Sequence, residues 1–337
     1  MKTRKEEKRR KKFRTLLLLL FLTIVMFGTS TYAWFTANRV VTINEIDVHV
    51  DASNGIQLST NAENWKSVIT NNDITSGAYS GAVNQMPTEV TAVSTDLVPT
   101  SAGRLNMYSS IIDNDASTGD YTIKTALETE AHGTTGKFIA FDLFVRVDTA
   151  QTVYLTSESD VISLDTTDRG LKNSARIAFV NLGNTSAESA PATITALNTG
   201  TTSGVLMWEP NSDAHTQFVV QQVAPDYGIT LTETSSGSGL YQRVPYRGVN
   251  SEITTAAPLK SVVNGTVTTN TTAVTPTIAT TEGNAAYNTF VANFPAGVTK
   301  YRVYMWIEGQ DIDCENNATG SNIGFKVQLS TENPNNP

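Results

Sequence analysis

Cysteine, histidine and basic charge are scarce in this chain, and each shortage closes off a class of function. Cys314 is the only cysteine in 337 residues, so no disulfide can form within the chain and stability has to come from a packed core. The length suffices for one large β domain or two smaller ones. Histidine occurs only at His49, His132 and His215. These are far apart and no His-Glu-x-x-His is present, so a zinc peptidase of that type lacks its ligand pair and its base. Each histidine is expected on the surface or along a strand. No Gly-x-Ser-x-Gly elbow occurs, and Cys314 sits among Asp311, Asp313 and Glu315, whose charge raises a thiol pKa and disfavours a nucleophilic thiolate. Of 24 basic and 32 acidic residues, nine and two fall in the first fourteen, leaving 15 against 30 in the remainder. A surface near −15 repels nucleic acid and anionic membranes, so no nucleic-acid partner is expected.

The basic residues that are present are concentrated at the start. Lys2, Arg4, Lys5, Lys8, Arg9, Arg10, Lys11, Lys12 and Arg14 face only Glu6 and Glu7, and the thirteen residues from Leu16 to Gly28 are uncharged and mostly Leu, Phe, Ile, Val and Met. That run suits a signal-peptide core better than the roughly 20 residues of a spanning helix. Thr31 and Ala33 stand at −3 and −1 of a small-x-small cleavage site, with the cut before Trp34. The expectation is a signal peptide over 1–33, handled by a signal peptidase, and a secreted or cell-surface mature chain over 34–337. The alternative is an uncleaved anchor extended through Phe35, which would be the only membrane contact. Ser330 to Pro337 has neither an apolar tail nor a basic end, so attachment to a wall through a sorting signal is not expected.

Periodicity of two dominates the chain beyond this junction. Ile46, Val48 and Val50 alternate with Asp47, His49 and Asp51, while Val41 and Ile43 have the opposite parity, which calls for a bulge near Asn44 and Glu45. Asn54-Gly55 is a strong turn signal and predicts a hairpin into Ile56 to Ser59. Phe141, Leu143, Val145 and Val147 line one face of a core strand, and its other face, with Asp142, Phe144 and Arg146, is mixed and suits partial cover. Ala175 to Val180, Thr299 to Glu308 and Gly324 to Leu329 alternate likewise. Residues 61–136 and 183–285 read as insertions. In the second, Val205 to Glu209, Gln217 to Val223 and Leu240 to Arg247 are the strand-sized runs within Thr-, Ser-, Asn- and Gly-rich sequence. The expected fold is all-β, an antiparallel two-sheet β-sandwich of jelly-roll type with long loop insertions.

Thr31-Tyr32-Ala33-Trp34-Phe35-Thr36-Ala37, followed by an extended segment, a polar turn and Gln57-Leu58, resembles the start of the TasA and camelysin family of secreted biofilm-matrix proteins. The pairing of Phe141 to Asp148 with Trp306 to Cys314 is similar to exported Gram-positive proteins of the same group. The resemblance implies a jelly roll and fibres in which the N-terminal strand of one subunit completes the sheet of the next. In this chain the assembly strand would be Trp34, Phe35, Val40, Val41 and Ile43. The alternative is that this strand folds back at the edge of its own subunit. The insertions here are larger than in that family.

Asp311-x-Asp313-x-Glu315-x-Asn317 suggests a calcium loop, yet Asn316 and Asn322 stand where an EF-hand has Gly and Glu. A solvated acidic loop is the expected outcome, with no cofactor and calcium as the one candidate metal. The functional expectation is a non-enzymatic structural subunit of an extracellular matrix or cell surface that self-associates into fibres. A ligand- or carbohydrate-binding adhesin is the second reading, favoured by exposed aromatics near Trp65, Trp208 or Tyr241. A hydrolase is the third, since no two of the thirty carboxylates are singled out.

Overall fold

The computed structural model describes residues 40–50, 55–77, 79–114, 121–198, 205–211, 213–226, 229–242, 257–258, 279–282, 291–315 and 318–333. The strands there run β1 Val40–Val50, β2 Gln57–Ser59, β3 Val68–Thr70, β4 Asn84–Gln85, β5 Glu89–Thr91, β6 Ser94–Pro99, β7 Leu105–Asn114, β8 Tyr121–Glu128, β9 Ile139–Val147, β10 Gln151–Leu155, β11 Asp160–Ser163, β12 Ala175–Thr185, β13 Val205–Glu209, β14 Ala257–Pro258, β15 Ala279–Glu282, β16 Val291–Phe294, β17 Gly297–Ile307 and β18 Asn322–Ser330. The chain is all-β, as its alternating sequence predicts.

Three sheets form. The first has the order β16-β10-β18-β1-β3, with β11 also on β18 and β5 also on β1. The second has the order β15-β13-β12-β17-β9-β2 with β4 on β9, and the third β14-β8-β7-β6. One apolar cluster takes Val41, Ile46, Val48, Phe325 and Val327 from the first sheet and Phe141, Leu143, Ile177, Val303 and Met305 from the second. The period-two faces read from β9 and β17 are the faces that enter it. Most pairings are antiparallel. Two are parallel, β13 with β15 and β1 with β18. The parity switch in β1 appears as a register shift between Ile43 and Glu45 opposite Ile323 and Gly324, so both halves keep their apolar side chains in the core.

The middle of the second sheet, β9 and β17, is buried on both faces, and all eleven residues of β17 are buried. At one end, Leu97, Leu105 and Met107 of the third sheet pack on Ala178, Val180, Tyr304 and Trp306. At the other, Ala62, Trp65, Tyr79 and Ile194 cover Phe144 and Val298. The partial cover expected over the mixed face of β9 is therefore supplied by both insertions.

Two local expectations are corrected, and a third lies partly outside the described residues. Asn54 lies outside the described residues, and Gly55, at φ +75°, leads not into a hairpin but from the first sheet to the second, because β1 pairs with β18, β3 and β5 while β2 pairs with β9. Gln217 to Val223 is helical, π-wound over Val219–Val223. Val219 and Val223 bury against Ile312 and Ala224, and the Val219 amide donates to the Thr216 hydroxyl at 3.3 Å, so packing and a local cap override the β-propensity of the run. Val68 and Ile69 form β3, which enters α1, Asn71–Ser76. There the Asp73 carboxylate accepts from the Thr70 amide and hydroxyl at 3.1 Å each. Of the expected strand from Leu240 to Arg247, Leu240 and Tyr241 make isolated bridges and 243–247 lie outside the described residues.

Gly297, the first residue of β17, has φ +111°, and a Cβ there would lie 2.1 Å from the Thr185 carbonyl oxygen. Gly297→Ala is expected to lower stability by about 1–3 kcal/mol from backbone strain alone, read as a shift of the denaturant midpoint at unchanged m-value.

Candidate functional site

Between the two covers, the outer face of β17 and β9 is polar. Antiparallel register places Arg302 opposite Asp142 and Lys300 opposite Phe144, and alternation turns all four away from the main core. Asp142 is fully buried. It accepts from Arg302 Nε at 2.9 Å and from the Tyr79 hydroxyl, and lies 3.6 Å from Lys300 Nζ. Lys300 Nζ also donates to the Thr195 carbonyl at 2.6 Å and sits 5.5 Å from the centroid of the Tyr79 ring. Arg302 Nη1 is 3.5 Å from Glu130, which also accepts from the Tyr304 hydroxyl. Burial, with Arg302 adding to it, holds the Lys300 pKa below the ordinary lysine value against the pull of Asp142. Burial raises Glu130, opposed by Arg302 and Tyr304. Above this floor opens a cavity of about 600 Å³, walled by Asn61 and Glu63 on one side and Ala192, Ala196 and Asn198 on the other.

The acidic loop after β17 is not solvated, which corrects the expectation. Asp311, Asp313 and Glu315 are all buried, while Asn317 lies outside the described residues. Asp311 accepts from Arg176 Nη2. Asp313 contacts His215 Nδ1 at 2.6 Å and accepts from Asn173 Nδ2 at 3.3 Å. Arg176 Nε also donates to Glu209 at 3.0 Å, and its Nη1 to the carbonyls of Asn173 and Ala175 at 2.8 Å each. Glu308 accepts from the Trp306 indole and the Gln310 amide, both at 3.1 Å. Protein groups thus meet Asp311 and Asp313, two of the residues that the spacing offered to calcium. Among the described residues no group of three or more His, Cys, Asp or Glu side chains is arranged to hold a metal ion. His215 is buried, against expectation, while His132 is exposed and His49 partly so. Cys314 is a buried free thiol.

The other predicted residues scatter. Thr31, Ala33, Trp34 and Phe35 lie outside the described residues. Val40, Val41 and Ile43 belong to β1, which is no edge strand in its own subunit: β18 lies on one side, and β3 and β5 on the other. The three aromatics expected to mark an adhesive surface do not form one. Trp208 is fully buried, Tyr241 is buried against His215, and Trp65 packs under Arg146. No helix among the described residues is long and apolar enough to cross a membrane. Comparison with protein-family models, with curated proteins and with solved structures finds no match to this chain.

Proposed function

We propose that the chain is an exported, non-catalytic β-sandwich of jelly-roll type that serves as a structural subunit of an extracellular matrix or cell surface, joined to other copies through its N-terminal strand. The observation that supports this most is the position of β1. It fills a slot between β18 and the pair β3 and β5, and contributes Val41, Ile43, Ile46, Val48 and Val50 to the core. A sheet lacking it exposes two rows of unpaired backbone groups and an apolar trough. The same strand from another copy satisfies that slot as well as the chain's own, since every contact is preserved in the exchange. The strand also follows directly on the segment read as the cleavage junction, so processing frees its leading end.

Cysteines at paired positions report which copy supplies β1. Asp47 and Lys326 are register partners. Asp47→Cys protein mixed with Lys326→Cys protein during assembly is expected to yield disulfide-linked dimers between the two, and filaments in negative stain from the parent protein. The double variant, oxidised as a monomer, should be locked and fail to assemble. Monomers throughout, with the disulfide forming only within the double variant, would overturn the proposal. A start at Glu45 is a poorer probe, since it removes Val41 and Ile43 from the core.

A further inference from the structure

We infer that the cleft over β17 is a binding site for an uncharged saccharide unit. The assignment does not depend on how copies join. A cavity of about 600 Å³ falls within the roughly 300–1,000 Å³ of small-molecule sites. Its floor is preorganised, because Arg302 and Lys300 are 8 % and 4 % exposed and are carried on a strand at the centre of a sheet. Little side-chain freedom is left to lose on binding.

The chemistry of the lining selects the class of ligand. Arg302 uses Nε on Asp142 and Nη1 toward Glu130, and its Nη2 has no partner among the described residues. Asn61 Oδ1 is occupied by the Ser59 hydroxyl and the amides of Glu63 and Asn64, which fixes the side chain and leaves Nδ2 to donate. The Glu63 carboxylate at the rim accepts, and the Asn198 amide does both. Hydroxyl groups, each donor and acceptor, match this mixture. Ala192, Ala196 and Leu197 form an apolar wall suited to the C–H face of a sugar ring. An anionic ligand gains little, because the charges of Lys300 and Arg302 are met by Asp142 and Glu130 and the rim adds Glu63. A purely apolar ligand would leave Arg302 Nη2 and Asn61 Nδ2 desolvated without partners.

Saturation-transfer NMR on the purified protein with cellotriose, maltotriose or triacetylchitotriose tests the inference, with trigalacturonate as the charged comparison. At least one neutral trisaccharide is expected to bind at millimolar or lower concentration. Ala196→Trp, which fills the cleft from an exposed position, and Glu63→Ala, which removes the rim acceptor, should each weaken binding, the first by roughly tenfold or more. Their melting temperatures should match that of the parent. No transfer to any neutral trisaccharide at about 10 mM, transfer to trigalacturonate alone, or binding unchanged in both variants would overturn the assignment.

Discussion

Arg176→Ala is expected to cost about 3–5 kcal/mol, the penalty for stranding buried carboxylates by removing their cation. Arg176 is 1 % exposed, and its guanidinium joins Glu209, which is fully buried, to Asp311 while also meeting two backbone carbonyls. With the arginine gone, both carboxylates stay in a pocket that already contains Glu308, Asp313 and Glu315. At roughly 2–4 °C per kcal/mol for a chain of this order of size, the melting temperature should fall by about 6–20 °C. Arg176→Lys should fall between the two, since an ammonium keeps the charge but cannot reach four acceptors in a plane. The diagnostic variant is the triple replacement Arg176→Met, Glu209→Gln, Asp311→Asn, which removes the charges together and should recover much of the loss. A loss under about 1 kcal/mol for Arg176→Ala would show that water reaches the cluster and that the ionic network does not organise this end of the sheet.

How much of the structure was legible in the sequence depends on the distance over which each contact acts. The bulge in β1 could be read because Val41, Ile43, Ile46 and Val48 change parity within a few residues, and the inward faces of β9 and β17 because period-two alternation is local. The parallel pairing of β1 with β18 left no trace, since it joins opposite ends of the chain. The acidic loop misled for the same reason. Its own composition reads as solvated, and the groups that bury it, Arg176 and His215, lie 135 and 98 residues away from Asp311 and Asp313. The cleft was also hidden: Lys300 and Arg302 alternate with apolar residues as a solvent-facing row would, and only the two insertions folding over that row turn it into the floor of a cavity. The third sheet gave no sign although β7 and β8 run to ten and eight residues, because adjacent pairs such as Ser109-Ser110 and Ile111-Ile112 blur the alternation of β7 and another member, β14, lies far along the chain.

The same buried acids make stability depend on pH in the direction opposite to ordinary acid denaturation. Burial pushes Glu308 from 4.5 up to about 7, against the hydrogen bonds of Ser94, Gln310 and Trp306. Burial also raises Asp313, helped by Asp311 and opposed by His215. For His215, burial works against the charge, but its hydrogen bond to Asp313 and the charges of Asp313 and Asp311 outweigh it and hold the imidazole above 6.5. Each of these groups binds its proton more firmly in the folded chain than in the unfolded one. The folded state therefore carries more protons, and unfolding free energy falls as pH rises. For Glu308 the contribution is fully present below about 4.5 and is lost by about 7, on the order of 3 kcal/mol. For His215 it is present below 6.5 and is lost as the pH passes its higher folded value. Asp73 acts in reverse. Burial opposes its charge, yet Lys66 and Thr70 hold its pKa under 3.8, so its contribution is present above 3.8 and is lost below it, as pH falls through the lower folded value. Melting temperature should accordingly be highest near pH 5 and drop by several degrees by about pH 8. Glu308→Gln, neutral at every pH, should flatten the slope and melt at or above the parent at pH 8. A parent that is more stable at pH 8 than at pH 5, or a slope that Glu308→Gln leaves unchanged, would mean that these carboxylates are ionised in the folded protein and neutralised by Arg176 and His215 alone.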